Sequence, residues 1–206
     1  MPSDRFMRLS SMKQQRILNA AIDEFSERAF ADVNLANIVR NAGIARGSLY
    51  QYFANKEDLY RYVLEEIARR KMKFLNPLLF QNDNLSFLQL FRELFLSGIQ
   101  FAQTEPRLTK IGQILMREKG PLYQEMIAKG REQAYQLYEA YIRRDQSKGL
   151  IRKEFDSSLL ARTITQLINN VTFEDFVQED QHYESLLRKV DQIILVLQKG
   201  MEPHHV

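Results

Sequence analysis

The stretch Asn34–Asp58, NLANIVRNAGIARGSLYQYFANKED, decides how this chain reads. Leu35, Ile38 and Val39 recur at helical spacing behind Asn34, whose side chain is a good acceptor for the free N–H groups at a helix start. Gly43 closes that short segment, because a helix often ends on a residue at positive φ, which glycine adopts without strain. Ala42 beside it is small enough to let two helices approach. A second helix is expected from about Ala45 to Phe53, with Ile44, Leu49 and Phe53 available for packing. Two short helices crossing at a tight turn make a helix-turn-helix, here over about 34–53, whose second member lies in the major groove of DNA.

The residues left outward on that second helix suit the task. Arg46 can donate two hydrogen bonds to a guanine edge. Ser48 and Tyr52 carry hydroxyls for phosphate oxygens, and Gln51 can reach a base or a phosphate. Gly47 lets the backbone come close to the groove wall. Lys56 follows the Asn55 cap and adds its ammonium to a helix N-terminus, a natural phosphate site. Asn34 marks the same kind of site one helix earlier.

Outward from this stretch the chain is helical throughout. Ser11 and Gln14 are placed for a capping box, and Ile17, Ala21 and Phe25 form the stripe of the helix they start, which should end near Arg28–Phe30. The helix after Asn55 is expected to stop before Asn76-Pro77, since the residue preceding a proline avoids helical angles. Helices then follow over Phe87–Ala102, Leu108–Arg117, Pro121–Lys148 with Gly149 as its stop, Asp156 or Ser157 to about Phe176, and about Tyr183–Lys199. The expectation is an all-α chain of about nine helices in two parts. Residues 11–71 form a DNA-binding domain and 77–200 a helical ligand-binding and dimerisation domain. The arm Met1–Ser10 reads as a disordered terminus, with a minor-groove reach by Arg5 and Arg8 as the alternative.

Composition narrows the field. The absence of cysteine removes disulfides and thiolate chemistry. The net charge is +3, and its distribution is uneven. Residues 1–73 hold thirteen basic against nine acidic side chains, and the remainder sixteen against seventeen, so the basic surplus lies with the helix-turn-helix. No apolar run approaches the ~20 residues of a membrane span, and the start lacks a signal-peptide core. A cytoplasmic location with no membrane partner is expected. His182, His204 and His205 are scattered, no catalytic constellation appears, and neither a metal nor a cofactor is expected.

Ala20-Ala21, Phe25, Ile38, Ala42-Gly43, Gly47-Ser48-Leu49-Tyr50, Tyr52-Phe53 and Lys56-Glu57 together form a gapless pattern. Over residues 12 to 60 it closely resembles the DNA-binding domain of the tetracycline-repressor (TetR) family. The resemblance implies a homodimeric regulator, usually a repressor, on a near-palindromic operator, released when a small molecule enters the C-terminal domain. It implies base or phosphate contacts for Arg46, Ser48 and Gln51, and backbone clamps at Asn34, Tyr52 and Lys56, with Tyr50 partly in the core. Two positions depart from the pattern. Ala45 stands where a capping serine or threonine is common, and Asn34 where threonine is usual.

The second part carries aromatic and polar residues that suit a largely apolar inducer: Phe91, Phe95, Met116, Tyr123, Tyr138, Gln166, Asn170 and Phe173. Aromatics at helical spacing serve equally as plain core, so both readings stand. Leu160, Ile164, Leu167, Ile168 and Val171, with Leu186, Val190, Ile193, Ile194 and Leu197, give the last two helices stripes too wide for one partner. They are read as a dimer interface of four-helix-bundle type. The expected partners are therefore an operator duplex, a second copy of the chain and a small-molecule inducer. The competing reading is a DNA-bound structural or protein-interaction factor with no inducer.

Overall fold

The computed structural model describes residues 2–81, 85–177 and 183–201, without the side chains of 76–81, 127 and 168–177. In chain order the elements are α1 (Asp4–Met7), α2 (Ser11–Glu27), a 3-10 turn (Phe30–Asp32), α3 (Leu35–Ala42), α4 (Arg46–Tyr52), α5 (Lys56–Gln81), α6 (Phe87–Thr104), α7 (Pro106–Glu118), α8 (Pro121–Ser147), α9 (Ser157–Val177) and α10 (Tyr183–Met201). The described residues are thus all-helical, with ten α-helices against the expected nine. The addition is α1, in the arm expected to be disordered. Among the described residues no helix is long and apolar enough to cross a membrane.

The chain divides into two compact units. The first contains the residues up to Lys73 together with Phe101–Glu118. Its axis is α2, which buries Ile17, Leu18, Ala21, Ile22 and Phe25 along one stripe. The N-cap of α2 is Ser10 rather than Ser11: the Ser10 hydroxyl accepts from the Lys13 amide at 3.4 Å. Gln14 makes no capping box, because with Ser10 as the cap it stands one position too far along the helix; its side-chain nitrogen instead faces carbonyls of the arm. Helix α7, placed by the sequence in the second domain, packs along α2 instead. It buries Leu108 and Ile111 and pairs Arg107 with Asp23 and Lys110 with Glu27.

Within the same unit Glu66 is buried and ringed by cations. Arg69 and Arg70 each donate to it at 2.6 Å, and Arg70 also reaches Glu105 at 3.0 Å. Burial opposes ionisation of Glu66, but the two arginine hydrogen bonds outweigh it and hold the carboxyl below its usual range. Helix α5 does not stop before Pro77 but runs on to Gln81. Proline has no N–H, so that turn forgoes one helical hydrogen bond and the rest of the ladder carries it.

The second unit comprises Phe74–Gln100 and the chain from Lys119 onward. Phe87, Phe91, Ile142, Ala161, Ile164, Val190 and Ile194 form its core. Asp145, 1% exposed, accepts from the Phe87 amide at 2.6 Å, so a carboxylate of α8 caps the start of α6. Gly149 at φ 73° ends α8 as expected, with the Leu150 amide returning to the Asp145 carbonyl at 2.9 Å. The Asp156 carboxylate caps α9 through the Leu159 amide at 2.6 Å.

Candidate nucleic-acid interface

The helix-turn-helix is built as its punctuation requires. The Asn34 side chain accepts from the Ala36 amide at 2.9 Å and starts α3. Gly43 ends it in the left-handed region at φ 60°, ψ 43°. A Cβ at Gly43 would meet nothing closer than the Arg16 guanidinium carbon at 3.9 Å, so the dihedral and not crowding demands glycine. Ile38 and Ala42 from α3, and Leu49 with Phe53 from α4 and its C-cap, are buried against the first unit's core.

One buried acid, not singled out in the sequence, seats α3 on α2. Glu24 is 8% exposed. Its carboxylate accepts from the Asn34 amide at 3.0 Å and from the Asn37 side-chain amide at 3.2 Å, and it pairs with Arg28 at 3.2 Å. An anion at a helix N-terminus is also favoured by the helix dipole. The signal available in the sequence was position: Glu24 lies three residues after Ala21 on the apolar stripe of α2.

Helix α4 turns a distinct set of side chains to solvent. Arg46 opens the helix and is exposed, and it makes no hydrogen bond or ion pair with the described residues. Gly47 and Gln51 are exposed and Ser48 is half-buried. Apart from its chain neighbours and the backbone of its own helix, no heavy atom among the described residues lies within 4 Å of a Cβ built at Gly47, so the space in front of it is open. Ala45 at the N-cap supplies no side-chain hydrogen bond.

The tyrosines exchange the places expected of them. Tyr50 is 49% exposed and Tyr52 only 7%. The inward stripe of α4 is Leu49, Tyr52 and Phe53 at helical spacing, which leaves Tyr50 a third of a turn away from the core. Lys56, expected to clamp the DNA backbone, has protein partners as well. Its ammonium donates to the Ala31 carbonyl at 2.9 Å and the Val33 carbonyl at 3.4 Å, and lies 4.9 Å from the centre of the Phe30 ring. It closes the 3-10 turn onto the start of α5. Asn34 remains exposed beside its cap.

The candidate pocket residues are only partly brought together. Phe91 packs 5.6 Å from Phe95 and 5.7 Å from Tyr138, ring centre to ring centre, and Tyr138 is 5.6 Å from Phe87. Burial pushes the Tyr138 phenol up to about 12. Tyr123 is half-buried on α8 and Gln166 is exposed on α9, away from that cluster's interior. Met116 belongs to α7 and hence to the first unit, not to the second. Asn170 and Phe173 lie outside the described side chains, as do Ile168 and Val171 from the interface set.

The interface set is divided in a similar way. Ile164, Leu186, Val190 and Ile194 are at most 8% exposed within their own chain, and Leu160, Ile193 and Leu197 pack against the same core. The stripes are wide because their inner strip serves this chain. What faces solvent is Leu159 at 64%, Leu167 at 39%, Leu195 at 42% and Val196 at 69% exposure. Leu195 and Val196 escaped the sequence reading, since an apolar helix does not say which of its strips turns inward.

Residues 17–63 match the family model described as bacterial regulatory proteins, tetR family. Over 162 residues the chain is 27% identical to the HTH-type transcriptional regulator YdgC of Bacillus subtilis, covering 77% of this chain and 78% of that one. A crystal structure of a TetR family transcriptional regulator from Chloroflexus aurantiacus superposes with a TM-score of 0.67 at 26% identity, covering 99% of this chain and 100% of the other. A gamma-butyrolactone receptor shares the fold at a TM-score of 0.63 and 21% identity, over 93% of this chain and 89% of its own.

Proposed function

Because the chain is a DNA-binding transcriptional regulator of the tetR family and not an enzyme, we propose that it acts as a homodimeric repressor, bound to a near-palindromic operator and released by a small, largely apolar inducer. The observation that carries this reading is the exposed face of α4. Arg46 at the first position is exposed with no hydrogen bond or ion pair among the described residues, Gly47 has open space before it, and Gln51 follows on a helix anchored by Leu49 and Phe53. In this reading Arg46, Ser48 and Gln51 meet base edges or neighbouring phosphates. Asn34, the exposed Tyr50 and the remaining donor of Lys56 hold the backbone, while Tyr52 contributes by its packing. The basic surplus of residues 1–73 supplies the sequence-independent attraction.

Two copies are needed because one α4 spans only part of a groove, and a dimer places two of them in successive major grooves. The exposed Leu159, Leu167, Leu195 and Val196 are the surface we assign to that pairing. For the inducer we assign the region around Phe91, Phe95 and Tyr138. One protein of this fold is a receptor for a gamma-butyrolactone, which supports a small organic effector. An inducer acts by binding more tightly to a conformation whose two α4 helices no longer match the groove spacing, and it lowers operator affinity by that difference alone.

The test is duplex binding by the purified protein to its own promoter region during a screen of small apolar and cationic compounds. At least one compound is expected both to release the DNA and to raise the thermal midpoint. Binding that no compound relieves removes the inducer from this account and favours a structural or protein-interaction factor.

A further inference from the structure

The last four carbonyl groups of a helix have no partner within it, and in α4 two of them are taken by the N-terminal arm. The Ser3 amide donates to the Tyr52 carbonyl at 2.9 Å, and the Ser3 hydroxyl donates to the Gln51 carbonyl at 2.7 Å. The same hydroxyl accepts from the Phe6 amide at 3.4 Å and so starts α1. A four-residue helix does not hold itself together in water. The far end of α1 is secured by Gln14, whose side-chain nitrogen lies 3.1 Å from the carbonyl oxygens of Phe6, Met7 and Leu9.

Between these two anchors Phe6 is fully buried. Its ring centre lies 5.0 Å from that of Phe53, 5.3 Å from that of Tyr62 and 6.0 Å from that of Tyr52. Phe6 thus joins the exit of α4 to α5. At its other end α4 is held by the Gly43 turn and has no side-chain cap at Ala45.

From this arrangement we infer that Ser3 and Phe6 are positioning residues for DNA recognition: the arm locks the exit of α4 and so fixes the angle at which Arg46, Ser48 and Gln51 are presented. The inference rests on α4 being the reading helix. Without the arm a seven-residue helix rests on the packing of Leu49, Tyr52 and Phe53 alone and can tilt about it, whereas a reading site must be held within about 0.5 Å and 10–20° of its working geometry. Attraction between basic side chains and phosphates has no such requirement. Loosening the arm should therefore cost sequence-specific binding and spare non-specific binding.

The experiment compares full-length wild type, Phe6→Ala, Phe6→Leu and Ser3→Ala on two duplexes. One is selected by the wild type from a random pool, and the other is a scrambled duplex of the same length. Phe6→Ala is expected to weaken binding to the selected duplex on the order of tenfold. Its binding to the scrambled duplex should change by less than about twofold, with the same salt dependence, since no cation is removed. Phe6→Leu restores most of the loss by refilling the buried space. Ser3→Ala leaves the ring in place, and is expected to lose selected-duplex affinity at an unchanged thermal midpoint even if Phe6→Ala does not fold. Equal losses on both duplexes, or no loss in Ser3→Ala and a folded Phe6→Ala, would overturn the inference while leaving the functional reading intact. A wild type that selects no duplex overturns both.

Discussion

Replacing Leu195 and Val196 together by glutamate is expected to leave a folded monomer whose operator affinity has fallen on the order of 10²–10⁴-fold. The size of that loss follows from symmetry. A two-fold dimer meets two half-sites at once, and the second contact is made at the high effective concentration set by the first. Without the partner each α4 binds alone. The substitution is directed at the surface and not at the core: Leu195 and Val196 are 42% and 69% exposed, while their neighbours Val190 and Ile194 on α10 are 0% and 8% exposed. In an isologous interface each change counts twice, so four carboxylates would have to be desolvated in one apolar patch. Sedimentation of the variant, with duplex binding measured beside it, checks the prediction. A dimer of unchanged affinity would place the pairing surface elsewhere.

The second large effect concerns the frame that carries α4. Phe25→Ala is expected to destabilise the first unit by about 3–5 kcal/mol, the usual cost of removing a buried aromatic ring. Phe25 is 1% exposed, and its ring centre is 4.6 Å from that of Tyr60, which in turn lies 5.1 Å from Phe30. The ring therefore ties α2 to α5 and to the 3-10 turn on which Lys56 rests. A loss of that size is a large part of the ~5–15 kcal/mol by which domains are stable. Amide exchange should accelerate across residues 17–64, and operator binding should fall with it. Protection unchanged from the wild type would mean that this aromatic stack is not what holds the unit.

Much of this architecture could be read locally because helix ends are written in local chemistry. Asn34, Gly43, Pro121, Gly149 and Asp156 each act on a backbone group within a few residues, and each stands where its helix starts or stops. The helix-turn-helix is such a run of local signals, and it emerged with its turn and its outward arginine in place. The features that escaped depend on partners distant in sequence. Helix α1 exists because Ser3 finds the Gln51 carbonyl 48 residues away and Phe6 finds Phe53 and Tyr62. The arm alone reads as a disordered terminus. Helix α7 was recognisable as a helix, but nothing in its pattern says that it packs on α2. Tyr50 and Tyr52 were exchanged because one position along a helix is a rotation of about 100°, and small errors of phase decide which ring is inside.

The site shows the same division. Arg46, Gly47 and Gln51 are exposed as their helical positions required. Lys56, expected to clamp the DNA backbone, is also engaged with the carbonyls of Ala31 and Val33. No local rule foretells that, since the residues it serves lie beyond α3 and α4 in the chain. The apolar stripe of α10 was plain, yet its division into an inner strip and an outer strip depends on how α9 packs against it.

The central claim is that α4 reads base edges through Arg46 in both halves of a symmetric site. Selection of duplexes from a random pool by the wild type and by Arg46→Ala tests it most directly. The wild type should select a near-palindrome whose half-sites lie about one helical turn, or a multiple of it, apart. Arg46→Ala should bind that duplex more weakly by ~1–3 kcal/mol and lose its preference at one matching position in each half-site. Selection of the same sequence by both proteins, with equal affinity, would contradict the account.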